Sequence, residues 1–300
     1  MASVKTKEKA EFGDFQTPAD LARKTCQLLA RRQLQPASIV EPTCGKGSFL
    51  AAALQEFSTA RHAVGLEINE AYVVEARIAC REFAEKTEII QADFFAADWP
   101  ALLDRLPEPV LVIGNPPWVT SADLGSLGSD NHPEKTNLSR LNGIDAVTGK
   151  ANFDISEWIW LKLIQWLDGR DATVAMLSKT TVARRVLSAA WKNEQHLEQA
   201  AIYLIDASQY FNAAVDACLL VCDLAAANTG RDCAVFSSLD ASTKSSGFGY
   251  RDGLLLSDTK SYEKLAHLKG EDGTRWRSGV KHDCSKVMEL RKTDEGLYRN

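Results

Sequence analysis

Asn115-Pro116-Pro117-Trp118 is a group of residue types suited to holding a planar amine. Two consecutive prolines fix φ and remove two backbone N–H donors, which leaves a turn rich in acceptors. Asn115 adds a side-chain carbonyl, and Trp118 adds a flat face for stacking. An exocyclic NH2 group could donate to the Asn115 side chain and the Pro116 carbonyl while its ring lies on Trp118. The apolar run from Pro109 to Gly114 reads as a buried parallel strand, so the tetrapeptide falls at that strand's C-terminal end, where ligands collect in open α/β sheets. Taken alone, the four residues also read as a proline-rich turn that ends a strand.

A second constellation lies upstream. Ser38–Pro42 reads as a strand leading into Thr43-Cys44-Gly45-Lys46-Gly47-Ser48-Phe49, and a helical stretch from Leu50 to Phe57 follows. Strand, glycine-rich turn and helix start make a nucleotide-type cradle in which the backbone comes close to a ligand. Glu67 and Ile68 end the next apolar run. An acid about 20 residues beyond the glycines is placed to accept from ribose hydroxyls. Glu41, at the head of the loop, would repel a pyrophosphate and attract a cationic amine or sulfonium. Gly47 stands where a P-loop needs Ser or Thr. These features favour S-adenosylmethionine over NAD or ATP. A third strand over 87–92 brings Asp93 and Phe94 to the same edge. There Asp93 either accepts from an adenine amine or caps a helix over 96–103, and Phe94 either flanks the ring or belongs to the core.

With Glu41–Phe49, Glu67, Asp93 and Asn115–Trp118 in this order, the chain resembles the S-adenosylmethionine-dependent amino methyltransferases of DNA, above all the adenine-N6 enzymes of restriction–modification systems. The resemblance covers roughly residues 12–224. In the family order that places target recognition last, a segment ending in Thr-Pro precedes the glycine-rich loop and closes over the methionine end of the cofactor. Thr17 and Pro18 match it, and they also read as the cap and first position of a helix over 19–31. Phe211 matches the family's aromatic that packs a flipped base, with a core position as the competing reading. Trp118 departs from the commoner Tyr or Phe. The resemblance implies Asn115, Pro116, Pro117, Trp118 and Phe211 at the reacting base. It implies Thr17, Pro18, Glu41, Thr43, Gly45, Gly47, Phe49, Glu67, Ile68, Asp93, Phe94 and Asn115 at the cofactor, and no metal. Its partners would be duplex DNA with a flipped base and a cognate restriction endonuclease, and the enzyme would be a monomer. Cytosine-N4, RNA-base and protein-glutamine methylation, or a non-catalytic cofactor-binding subunit, remain the alternatives.

The elements that must position these residues follow from periodicity. Strands near 38–42, 62–68, 87–93, 109–114, 173–178, 199–205 and 217–224 alternate with helical patterns until the last two. This predicts an α/β fold with a doubly wound, mostly parallel seven-stranded sheet ending in an antiparallel hairpin, and the resemblance implies that it is Rossmann-like in the class I methyltransferase manner. The polar stretch 119–151 reads as a flap or DNA-contacting loop. Residues 1–239 form the expected catalytic domain. Residues 240–300 read as a linker and the start of a truncated target-recognition region. The 300 residues are 45% hydrophobic and 25% charged, ordinary for a globular chain. Seven cysteines without a C-x-x-C pair read as reduced thiols of a cytoplasmic protein, and neither a spanning run nor a signal sequence is present. A net charge of −5 argues mildly against nucleic acid, so phosphate contacts would fall to local patches such as Lys179, Arg184, Arg185 and Lys192.

Overall fold

The computed structural model describes residues 16–119, 154–225, 229–268 and 270, together with the backbone of a hairpin at 290–293 and 296–299. The expected loop at 119–151, apart from Val119, lies outside the described residues, as do Phe12–Phe15 and Cys284.

Two units divide the chain. Met1–Thr259 carries the sheet, and Lys260–Asn300 contains a short 3-10 turn and the hairpin β11 (Leu290–Thr293) and β12 (Gly296–Arg299). In the first unit the seven expected strands are β1 (Ser38–Glu41), β2 (His62–Glu67), β3 (Thr87–Gln91), β4 (Val110–Gly114), β5 (Ala172–Lys179), β6 (Leu197–Asp206) and β7 (Asp216–Leu224). Their order is β6-β7-β5-β4-β1-β2-β3, with β1 to β5 parallel and β7 antiparallel to both β5 and β6. This is the doubly wound, mostly parallel sheet expected, and the antiparallel ending was correctly anticipated.

The sheet is wider than expected, with ten strands among the described residues rather than seven. Strand β8 (Asp232–Phe236) adds parallel to β6, and β9 (Ser246–Arg251) and β10 (Leu254–Leu256) continue the edge in antiparallel fashion. Residues 240–245, where a linker after the catalytic domain was expected, instead join β8 to β9 within the same sheet, and the unit that carries the sheet runs on to Thr259. From Ser246 the chain pairs with β8, because its glycines let the two backbones lie close: a Cβ at Gly247 would stand 3.0 Å from the Cys233 carbonyl oxygen.

Alternate side chains of the buried strands feed two cores. Val110 and Val112 of β4 join the α4–α6 side, made by α4 (Trp99–Asp104), α5 (Ile155–Trp166) and α6 (Thr180–Lys192). Leu111 and Ile113 join the opposite side, made by α1 (Ala19–Arg31), α2 (Ser48–Glu56) and α3 (Glu70–Ala79). After β3 the chain returns across β1 to start β4, so β1 and β4 flank the switch in winding direction, where such sheets open a crevice at their carboxyl ends. Among the described residues, no helix is long and apolar enough to cross a membrane, and no group of His, Cys, Asp and Glu could hold a metal ion.

Candidate active site

The parallel strands end at Glu41, Glu67, Gln91, Gly114 and Lys179, all on one edge. Registers Lys179↔Ala217 and Asp206↔Asp216 bring the β6–β7 connection to the same edge. That connection contains α7 (Ala207–Phe211), capped by Asp206 at one end and by the left-handed Asn212 at the other. Topology alone thus gathers the glycine-rich loop, Glu67, Asp93, Asn115–Trp118 and Phe211 into one crevice.

The loop after β1 is held by two buried carboxylates. Glu67 Oε2 accepts from Gly45 N at 2.8 Å, and its Oε1 accepts from Asn69 N at 2.8 Å. Glu41, 3% exposed, accepts from Leu50 N at 2.8 Å and so serves the first turn of α2, whose own cap residue, Gly47, has no side chain to do it. Burial drives the Glu41 carboxyl well above the usual carboxylate range. The Leu50 N–H opposes that shift in part, and the neighbouring Glu67 adds to it. Gly45 and Gly47 both take positive φ, and a Cβ on Gly47 would come within 3.1 Å of Ala76. Across the loop, Gln16 accepts from Lys46 N at 3.2 Å, a contact that sequence reading did not foresee because it concentrated on Thr17 and Pro18. The Thr43 hydroxyl is buried and has no hydrogen-bond partner among the described residues. A buried acid, a waiting hydroxyl and a close-packed backbone turn suit a ligand with cationic and hydroxyl groups.

Several expected residues sit differently from their expected roles. Pro18, not Thr17, is the cap residue of α1, and no side chain caps that end. Phe49 is fully buried among the α1–α3 core side chains, so only its main chain is left for a ligand. Phe94 takes the core position that was one of its two expected readings: its ring lies 4.8 Å from Trp99 and 6.1 Å from both Trp158 and Trp166, centroid to centroid. Asp93 does not cap α4, which starts later on Asp98. Instead its Oδ1 accepts from Phe95 N at 2.9 Å in a tight turn. Ile68, beside Glu67, is 40% exposed, an apolar side chain left open at the crevice rim.

On the other side of the switch, Asn115 follows β4 with its Oδ1 buried, and Pro116 is buried behind it. Trp118 is 9% exposed and meets the half-buried Phe211 edge to face, with centroids 5.4 Å apart at 67°. Its carbonyl accepts from Lys179 Nζ at 3.0 Å, and the same ammonium lies 2.8 Å from Asp154 Oδ2. Lys179 is thus turned inward rather than toward a phosphate. Arg185 likewise pairs with Glu157 at 2.7 Å, and Arg184 stacks on Phe248 at 5.7 Å. Of the basic patch expected after β5, Lys179 and Arg185 are paired with acids, while Arg184 and Lys192 are exposed.

Comparison with known proteins matches this geometry. A family model described as N-6 DNA Methylase matches residues 1–222. The type II methyltransferase M.NspV of Nostoc is 40% identical over 293 residues, which are 96% of this chain and 60% of that protein. M.CvrRI, a type II methyltransferase of Paramecium bursaria Chlorella virus XZ-6E, is 33% identical over 114 residues, 38% of this chain and 26% of its own. The chain therefore spans at most 60% of the length of these curated relatives. Among solved structures, the M protein of the type I restriction enzyme EcoKI aligns with a TM-score of 0.52 at 15% identity, covering 94% of this chain and 60% of that one. A Listeria monocytogenes protein described as a class I S-adenosylmethionine-dependent methyltransferase aligns at 0.51 with 16% identity, covering 75% and 66%. At such identities these likenesses speak for the fold alone.

Proposed function

This chain belongs to the N-6 DNA methylase family, and on that premise we propose that it methylates the N6 amine of adenine in duplex DNA, using S-adenosylmethionine. The observation that carries the reading is the pairing of two sites across one switch point. A loop built around buried acids follows β1, and an acceptor-rich turn backed by aromatic rings follows the adjacent β4.

S-adenosylmethionine, when bound, supplies a methyl group made electrophilic by its sulfonium. Glu67 and the glycine-rich backbone would hold its ribose side. Glu41 would gain a cation as neighbour, and the Thr43 hydroxyl would gain a partner. Ile68 offers an apolar wall to a ring, and Asp93, with Oδ1 engaged by Phe95, keeps Oδ2 for an amine. Thr17 and Pro18, ahead of α1, would close the amino-acid end.

An adenine amine is a weak nucleophile because its lone pair is delocalised into the ring. Asn115 Oδ1 and the Pro116 carbonyl oxygen accept its two hydrogens, which favours a pyramidal nitrogen and stabilises the positive charge that grows during attack. No base is needed beforehand, and the surplus proton leaves the methylated nitrogen for solvent. The target atom is unreachable inside a duplex, so the nucleotide must turn out of the stack. Trp118 and Phe211 now cover each other, so admitting the base requires Phe211 on short α7 to part from Trp118 and re-pack against the base. We assign target recognition to the region from Lys260 onward, and extend the proposal to a cytoplasmic monomer working opposite a restriction endonuclease of the same site. The description of the Nostoc relative as a type II methyltransferase supports the restriction–modification part of this extension.

The test is transfer of a tritiated methyl to unmethylated duplex DNA, RNA and a glutamine peptide, followed by nucleoside analysis. N6-methyladenine is expected. N4-methylcytosine, or label in RNA or peptide alone, would replace this reading.

A further inference from the structure

The Asn115–Trp118 turn has few donors of its own. Two of its four residues are prolines without an N–H, so the donors that fix its carbonyls must come from elsewhere. Two neighbours hold its C-terminal end, one at the Trp118 carbonyl and one at the carbonyl of the next residue, Val119. Ile155 N, at the start of α5, donates to the Val119 carbonyl at 2.9 Å. Lys179 Nζ, at the end of β5, donates to the Trp118 carbonyl at 3.0 Å. The ammonium is held in turn by Asp154, whose side chain is 4% exposed. Asp154 Oδ2 faces Lys179 at 2.8 Å, while Oδ1 takes the Ser156 N–H at 3.1 Å and the Ser156 hydroxyl. Every oxygen of that carboxylate is engaged, and its geometry is fixed by the first turn of a helix.

We propose that Lys179 and Asp154 are a positioning pair for the reaction, holding the Trp118 carbonyl so that Asn115 and Trp118 keep the shape that receives the amine. The inference rests on the proposed function above for the identity of the amine, and on the contacts just given for the rest. Neither residue reaches the cofactor loop, whose hydrogen bonds run through Glu41, Glu67 and Gln16. The charges suit the task. A lone ammonium beside the turn would oppose positive charge growing on the amine, and a buried carboxylate 2.8 Å from it cancels that field while leaving an N–H for the carbonyl. A hydroxyl or amide at position 179 would lack both the reach and the counter-charge for Asp154.

The test uses Lys179→Met, Lys179→Arg and Asp154→Asn in the full chain. The readouts are cofactor affinity by calorimetry, single-turnover methyl transfer at saturating cofactor and DNA, and amide exchange at Ile155 against Leu50. A misplacement of about 1 Å in a reacting group costs roughly a hundredfold. Lys179→Met and Asp154→Asn should therefore lose about that much in single-turnover rate, with cofactor Kd within about twofold of the parent and Lys179→Arg recovering part of the loss. Exchange at Ile155 should speed up while Leu50 stays protected. A folded variant with a rate near the parent's, or with unchanged Ile155 protection, would overturn the pair's role. A parent chain that methylates no adenine would overturn the functional reading instead, and the exchange arm would still decide the positioning one. If Lys179→Met does not fold, Asp154→Asn and Lys179→Arg carry the same comparison.

Discussion

Replacing Glu41 by Gln should make the unliganded domain more stable at neutral and alkaline pH while weakening its grip on the cofactor. Glu41 is 3% exposed, accepts one backbone hydrogen bond from Leu50, and lies near a second acid, Glu67. Burial dominates, so its folded pKa is raised well above the ordinary value of 4.5. Between that value and the folded one, the native state binds a proton that the unfolded chain has released. This contribution to stability is complete below the unfolded pKa and declines as pH rises through the interval, by about 1.4 kcal/mol per pH unit. Gln mimics the protonated form at every pH, since it keeps one carbonyl oxygen for Leu50 N and carries no charge. Parent and variant should melt alike at pH 4.5 and separate above it, by roughly 2–4 °C for each kcal/mol in a domain of this size. Calorimetry at pH 7.5 should show the opposite sign for ligand. Loss of the anion beside a sulfonium or ammonium should raise Kd about tenfold or more, near 1.4 kcal/mol. Parallel melting curves from pH 4.5 to 8.5 would refute the claim that burial governs Glu41, and unchanged affinity would refute its place beside a cation.

Asn115→Ala should leave cofactor affinity near that of the parent and cut the single-turnover rate by roughly 10²–10³, read by rapid quench; a rate within tenfold would remove the amine-acceptor role. Gly47→Ala should cost about 1–2 kcal/mol of stability through its left-handed φ, more if Ala76 cannot yield the 3.1 Å contact, and chemical denaturation measures it. Phe94→Ala should cost about 3–5 kcal/mol as a core deletion, with cofactor Kd on the folded protein within about twofold. A stable variant that had lost the cofactor would instead make Phe94 a wall of the cofactor site.

The strands around the crevice were legible because each is a short apolar run stopped by a proline, glycine or acid: Glu41-Pro42, Glu67, Gly114 before Asn115. The same stops mark the carboxyl edge, so the loop residues could be grouped before any fold was known. The added strands at the far edge were not legible. Ser246–Arg251 contains Gly247 and Gly249 within a run of turn-forming residues, and their purpose, close approach to β8, exists only once β8 is beside them. Helix α4 was expected three residues early because Asp93 and Asp98 are both good caps. Asp93 takes the Phe95 N–H in its own turn, and Asp98 caps the helix through Ala101 N. Phe94 and Phe49 look like ligand contacts by position, yet a chain with seven tryptophans had a core ready to absorb Phe94. Lys179 read as a phosphate contact because its partner, Asp154, precedes it by a whole helix and strand.

The placement of β7 between β5 and β6 has a consequence for how this protein comes off the ribosome. Strands β1 to β4 are adjacent in space and complete by residue 114, so the first half of the sheet can assemble while the rest is still being made. Strand β5 then appears with one side unpaired, and β6 cannot cover it, because β6 reaches the first half of the sheet only through β7. Until Leu224 has emerged, a nascent chain carries an open row of Val174, Ala175, Met176 and Leu177, all fully buried in the finished fold. Exposed apolar strand edges recruit other chains. Stalling, nicking or truncation between Asp206 and Asp216 should therefore yield aggregates rather than a smaller soluble domain. A break after Leu224 leaves β5 covered on both sides, by β4 and β7.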